Sequence, residues 1–167
     1  MDNLLTNWAF PFIVNEGRYV YPHKPELECA WISLDDVARF MIAALDRPDL
    51  EGAWLNIGGP EILRPPEVAQ ALSEALGRPI RYDPCTPKEF GRLLANAYGH
   101  DMSPEERAVM EPRMEAFYDF NNDSPLKPFH VDMAPVLERI PLKLERLGEW
   151  VSRQDWRMTN ARRPPAG

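Results

Sequence analysis

Residues 31–60 read WISLDDVARFMIAALDRPDLEGAWLNIGGP, and the fold class follows from how this stretch is punctuated. A short apolar run, Cys29-Ala30-Trp31-Ile32, stops at Ser33. Ser33 and Asp36 have the spacing of a capping box: the Ser33 oxygen can accept the Asp36 amide while the Asp36 carboxylate reaches back. Asp35 and Asp36 stand in the first helical turn, where the helix dipole favours negative charge. Val37, Ala38, Phe40, Met41, Ala44 and Leu45 then recur at helical spacing and make one apolar stripe. Pro48 and Gly52 close the helix, and Ala53-Trp54-Leu55-Asn56-Ile57 reads as a strand ended by Gly58-Gly59-Pro60. Strand, capped helix, short connection and strand predict a βαβ unit on a parallel sheet, hence an α/β fold.

Working outward, Pro65-Pro66-Glu67 opens a second helix with an apolar stripe through Val68, Ala69, Leu72, Ala75 and Leu76, and Gly77 closes it. Pro79 to Asp83 reads as a strand, the αβ half of another such unit. On the N-terminal side, Met1 to Val14 is apolar and aromatic from its first residues. Asn15-Glu16-Gly17 is a turn and Arg18-Tyr19-Val20-Tyr21 a short strand. Pro22 to Pro25 is a loop, and its lone His23 reads as a solvated side chain. From Pro84 onward the pattern is helical: Thr86-Pro87-Lys88-Glu89 and Ser103-Pro104-Glu105-Glu106 are helix starts. Pro112 should kink or split the second of these helices, with a loop at 121–128 and a last helical region through Val136, Leu144, Trp150 and Val151. The chain divides into an α/β portion over 1–83, a mostly helical lobe over 84–156 and a disordered tail over 157–167, whose arginines 157, 162 and 163, with Arg153 before them, read as solvated.

Composition narrows the function classes. The 167 residues are 44% hydrophobic, enough for a core, and no apolar run is long enough to span a bilayer. A formal charge of −7 argues against a nucleic-acid surface, which needs a basic face. The two cysteines fit a reducing compartment, and Cys29, inside an apolar run, reads as a small buried side chain. A cytoplasmic protein without membrane or nucleic-acid partners is the expectation.

Candidate chemistry is sparse. Asp35 and Asp36 could act as paired carboxylates, but adjacent residues at a helix start point apart, and capping explains both. Asn56, with Gly58 behind it, could line a substrate pocket at a strand's C-terminal end, where open α/β sheets bind ligands, or fix the turn that follows. His100 with Asp101, and His130 with Asp132, are too few for zinc, which wants three or four clustered ligands. Met102, Met110, Met114, Phe117 and Tyr118 could line an apolar pocket, with helix packing the simpler reading.

The segments MDNLL, WISLDDVARFMIAALDRP, the strand ending NIGGPE, PPEVAQALSEALGRPI and LERLGEWV resemble, in order and spacing, the C-terminal half of NmrA-like proteins. These are atypical members of the short-chain dehydrogenase/reductase superfamily. The resemblance covers Met1 to Asp83 well and the closing helix loosely, while 91–133 departs from it. It implies the C-terminal part of a Rossmann-type doubly wound fold with a helical substrate-side lobe, and NAD or NADP as the cofactor of the full-length fold. Asn3 would then meet a ligand carbonyl or cofactor amide, or else serve as a turn residue. The Gly-rich phosphate loop and the Tyr-x-x-x-Lys pair of catalytic relatives do not occur in this sequence; Asn122 follows Tyr118 at +4, and Thr86 follows Tyr82. The expectation is therefore a truncated member whose N-terminal cofactor-binding half is missing, a substrate-side portion of a reductase or epimerase-like protein, inactive alone and binding no dinucleotide tightly by itself. Its sheet would keep one edge open, toward self-association or a partner. The alternative is a non-catalytic dinucleotide-sensing regulator or protein-interaction module.

Overall fold

The computed structural model describes residues 1–45, 47–98 and 102–157. Among the described residues four short strands and six α-helices follow one another: β1 (Arg18–Tyr21), β2 (Cys29–Ala30), α1 (Leu34–Ala44), β3 (Ile62–Leu63), α2 (Pro65–Leu76), β4 (Arg81–Pro84), α3 (Pro87–Tyr98), α4 (Pro104–Asp123), α5 (Ala134–Arg139) and α6 (Leu147–Arg153). The apolar N-terminal stretch coils as a 3-10 turn over Asp2–Leu5 and a π-turn over Phe12–Glu16.

The sheet is smaller than the sequence suggests. β1 and β4 pair in parallel, Arg18 opposite Arg81 through Tyr21 opposite Pro84. β2 and β3 form a separate antiparallel pair two residues long. The expected strand over 53–57 does not form: the segment joins no ladder, and Trp54 is 99% exposed. Its apolar residues have another use. Leu55 and Ile57 pack on the core made by Phe40, Met133, Val136, Ile140 and Leu144, and the Gly58 N–H points to the Met133 sulfur at 3.0 Å. The parallel connection therefore runs from β1 to β4, with both α1 and α2 between them, and does not close around α1 alone.

One edge of β1 is open. The bonds from Arg81 N–H to Gly17 and from Cys85 N–H to Tyr21 set Gly17, Tyr19 and Tyr21 toward β4. Alternation along a parallel ladder turns the peptide groups of Arg18 and Val20 the other way. No strand meets them there among the described residues.

The starts at Ser33, Thr86 and Ser103 and the stop at Gly77 are where the sequence places them, whereas α1 ends at Ala44, ahead of Pro48, and the last helical region is two helices, α5 and α6. The Ser33 oxygen accepts the Asp36 N–H at 3.1 Å, Ser103 and Glu106 cap each other, Thr86 accepts from Glu89, and Gly77 ends α2 in the left-handed region. The Asp36 carboxylate does not reach back to Ser33, because Glu145 and Arg39 claim it. Pro112 does not split α4, which runs unbroken through it. Pro112 and Ala108, whose carbonyl it leaves without a donor, both face solvent. Close packing on α3, with Lys88 and Arg92 bound to Glu111, holds the turn beside it.

The main core gathers Leu4, Trp8, Ile13, Tyr19, Val68, Leu72, Phe90, Leu147, Trp150 and Val151 on and around the β1–β4 pair. Arg153 is not a solvated tail residue: it binds Glu145 at 2.6 Å and Asp35 at 2.5 Å. Arg157 pairs with Asp155. The tail beyond it, with arginines 162 and 163, and the His100–Asp101 pair lie outside the described residues.

Candidate functional site

β1 ends at Tyr21, and the chain leaves the sheet through Pro22 to His23. Beside that strand end lies a cavity of about 450 Å³, walled by the N-terminal turn, β2, the start of α1 and the C-terminal half of α4. Its volume is that of a small-molecule site. Asn3, Tyr21, His23, Cys29, Phe117 and Tyr118 are among the residues that line it.

His23 is buried, where the sequence suggested a solvated side chain. Its ring sits 4.5 Å from Tyr21, 5.4 Å from Tyr118 and 5.2 Å from Phe129, centroid to centroid. Burial pulls its pKa down to about 4, so the imidazole is neutral at pH 7. Nδ1 lies 3.6 Å from the Cys29 sulfur. Burial pushes the Cys29 thiol up to about 12, so the thiol keeps its proton and there is no thiolate nucleophile here. A neutral thiol beside an imidazole donates to it, since ring nitrogen is the better acceptor; this assigns the ring proton to Nε2. Nε2 is buried and has no hydrogen-bond partner among the described residues.

A second polar group crosses the cavity wall. Asn3 Nδ2 donates to the Tyr21 hydroxyl at 3.3 Å, and the Tyr118 hydroxyl donates to the same oxygen at 3.3 Å. Burial raises the pKa of both tyrosines, holding each hydroxyl protonated. Asn3 Oδ1 is left buried without a donor among the described residues. Few buried polar atoms in folded proteins lack a partner, and those that do call for an explanation.

Of the residues singled out from sequence, Asn3 lines this cavity and Asn56 does not. Asn56 is exposed beside Lys127, His130 and Asp132 in a separate, more polar pocket of about 520 Å³. Gly58 is buried against Ala30, where a Cβ would approach to 2.7 Å. Asp35 and Asp36 flank another surface groove with Arg39 and Arg153. Of the methionine–aromatic run, Phe117 and Tyr118 line the cavity, while Met114 packs on the core. The sequence reading took Tyr21 as a strand residue and His23 as a solvated one, and singled out neither for a site; the available signal was the position of His23 just past a strand's C-terminal end. Among the described residues, no three His, Cys, Asp or Glu side chains are grouped to hold a metal, and no helix is long and apolar enough to cross a membrane.

No family model matches the chain. It is 37% identical over 82 residues to an NAD(P)H azoreductase of Xenophilus azovorans, a match covering 49% of this chain and 28% of that protein. It is 30% identical over 110 residues to an agroclavine dehydrogenase of Claviceps fusiformis, covering 65% of this chain and 37% of the other. With festuclavine synthase I of Penicillium roqueforti it shares 30% identity over 115 residues, 69% of this chain and 39% of that one. The matches thus span well under half the length of these relatives. In structure it is similar to a nucleoside-diphosphate-sugar epimerase of Staphylococcus aureus, with a TM-score of 0.60 and 20% identity over 86% of this chain and 46% of that chain. At that identity the likeness is one of fold, and it agrees with an α/β, Rossmann-type architecture. In sequence, the chain resembles proteins of reductase and dehydrogenase type.

Proposed function

We propose that this chain is the substrate-side portion of an NmrA-like, NAD(P)-dependent reductase, with the dinucleotide held by sequence outside these 167 residues. The cavity at the C-terminal end of β1 carries the reading, because ligands of open α/β sheets bind at such strand ends. The 37% identity to an NAD(P)H azoreductase supports the cofactor class. The sequence has no Gly-rich loop to cradle a pyrophosphate and no Tyr-x-x-x-Lys pair. On this reading the 167 residues alone neither bind the dinucleotide tightly nor turn over. Asn3 faces the ligand, and the open edge of β1 receives the next strand of the complete sheet. Asn56 and Gly58 belong to a loop on the substrate side of the fold.

The test compares the 167-residue chain with the longest polypeptide its gene encodes, detected by intact mass, in NADPH and NADH fluorescence titrations. Saturable binding by a longer form and none by the chain alone is the expected result. Tight dinucleotide binding by the 167 residues themselves would overturn the reading.

One observation favours a second reading, a protein-interaction module. Leu34, Met41 and Ile42 on α1, with Leu45 just past its end, make an exposed apolar face, between 66% and 79% accessible. A partner chain that comes down with the native protein and is released by Met41→Glu, with no effect of dinucleotide, would support that alternative.

A further inference from the structure

Five of the rings around the cavity at the end of β1 form one chain of contacts. From Phe117 to Phe129, then His23, Tyr118 and Tyr21, successive centroids lie 5.2–6.2 Å apart and neighbouring planes are tilted by 43–89°. All five line the cavity, and Phe117, 47% exposed, is the most accessible of them. Rings at such angles wall a cup, and no flat ligand lies parallel to two neighbours at once. A compact cation has no plane to align. It is drawn to the π-face of any ring it meets, most strongly where water is excluded.

Charge makes the choice. Asp2 is the one acidic residue on the cavity wall, and no lysine or arginine lines it. Asp2 Oδ2 accepts the Leu34 N–H at 2.8 Å. Asp2 Oδ1 takes no hydrogen bond among the described residues and is not enclosed, since the buried polar atoms without partners do not include it. The other titratable groups on the wall oppose it little at pH 7. Burial keeps His23 and the Cys29 thiol neutral, holds Tyr21 and Tyr118 protonated and brings the Met1 amine down to about 6. The first turn of α1, which meets the wall at Leu34, contributes about half a positive charge. A full carboxylate outweighs it, and the cavity is left electronegative.

Resting on the reductase reading only in taking this cavity as the substrate site, we propose that it binds an organic ammonium ion, a tertiary or quaternary amine with apolar substituents. The positive charge faces the Asp2 carboxylate, and the alkyl groups lie among the rings. Alkylation matters because a bare ammonium is strongly hydrated and loses its water only against a full set of hydrogen bonds, which these walls do not supply. Asp2 is then the residue that reads charge, and Phe117 the ring that an entering ligand meets first.

Three phenols that differ in one para group separate the terms: 4-(trimethylammonio)phenol, its carbon isostere 4-tert-butylphenol, and 4-hydroxybenzenesulfonate. Each is measured by equilibrium dialysis against the 167-residue chain at pH 7. The cation is expected to bind about tenfold tighter than its neutral isostere, and the sulfonate not to saturate. An unselective apolar cavity gives the opposite order for the first two, because burial of apolar area alone favours the tert-butyl compound. Asp2→Asn keeps an oxygen for the Leu34 N–H. It should bring the cation down to about the affinity of the neutral probe and leave the neutral probe where it was, with circular dichroism unchanged. Should that variant fail to fold, the wild-type ranking decides alone. A tighter neutral isostere, a preference for the sulfonate, or an undiminished preference for the cation in folded Asp2→Asn overturns the proposal. Turnover is read separately, in the longer polypeptide with NADPH. The expected ranking without NADPH oxidation there sinks the reductase reading and leaves the ligand class standing. NADPH oxidation with the neutral isostere ahead does the reverse.

Discussion

The carboxylate of Asp36 accepts the backbone N–H of Glu145 at 2.8 Å, joining the first turn of α1 to the approach of α6 across 109 positions of sequence. Its other oxygen holds Arg39 at 2.8 Å, and Arg39 in turn donates to the Lys143 carbonyl at 2.7 Å. Asp36 is 1% exposed, and its two oxygens are taken up by these partners at the start of a helix, where the dipole favours a carboxylate. What reads from sequence as half of a capping box is a tie between the two ends of the fold.

Asp36→Ala is therefore expected to cost about 3 kcal/mol, the upper range for hydrogen bonds to a charged group, because it leaves the Glu145 N–H without an acceptor. Ser33→Ala removes one cap bond and should cost about 1 kcal/mol. Urea unfolding of both variants checks the ranking. If the two losses come out equal, Asp36 acts only as a helix-start residue.

The helices were legible because their signals are local. Ser33, Thr86, Ser103 and Gly77 each sit within four residues of the backbone groups they satisfy. Of the strands, β1 was legible at its observed bounds and β2 and β4 nearly so, but their pairing was not, because each owes its partner to distant chain. The run at 53–57 has strand composition, yet its apolar side chains are satisfied by α5 without a ladder. The candidate site was legible at Asn3, through a resemblance, and in part at Phe117 and Tyr118, from the methionine–aromatic run. Tyr21 and Tyr118 touch across 97 positions, and no periodicity connects residues so far apart.

Both cysteines should be chemically silent in the folded protein. Burial raises the Cys29 and Cys85 thiols to about 12 each, so the thiolate fraction at pH 8 is minute. With 5,5′-dithiobis(2-nitrobenzoate), the native chain should release almost no chromophore within minutes, and in 6 M guanidinium, a customary denaturing concentration (about twice as potent as urea), both thiols should react. Rapid labelling before denaturation that disappears in Cys29→Ser would mean that Cys29 is reachable through the cavity and is no inert core residue.

His23 should make stability fall in mild acid. Its pKa is about 4 when folded against about 6.5 in the unfolded chain, so between those values the unfolded state binds the additional proton. The stabilisation is complete above pH 6.5 and is lost as pH falls toward 4. It amounts to roughly 3 kcal/mol from the two pKa values. The rings around it, Tyr21, Tyr118 and Phe129, and the Cys29 thiol carry no charge in that window. His23→Phe keeps an aromatic ring and removes the titration. The urea midpoint of wild type should drop more than that of the variant between pH 7 and pH 4.5, and parallel drops would show that His23 stays protonated when buried.

Gly59 should be irreplaceable where Gly52 is not. A Cβ at Gly59 would lie 1.6 Å from the Trp31 carbonyl oxygen and 2.5 Å from its carbonyl carbon, an impossible approach to backbone on the cavity wall. Gly59→Ala must push residues 58–60 away from the segment that follows β2, separating the Gly58 N–H from Met133 as it does so. Gly52 also has a constraint, φ 71°, but nothing lies within 4 Å of the Cβ it lacks. Gly52→Ala should therefore cost about 1 kcal/mol, the strain of a left-handed alanine, while Gly59→Ala should cost more than about 4 kcal/mol or prevent folding. Thermal melts of the two variants side by side provide the check. Similar losses would mean that the close passage of Gly59 over Trp31 is absent in solution, and with it this part of the cavity wall.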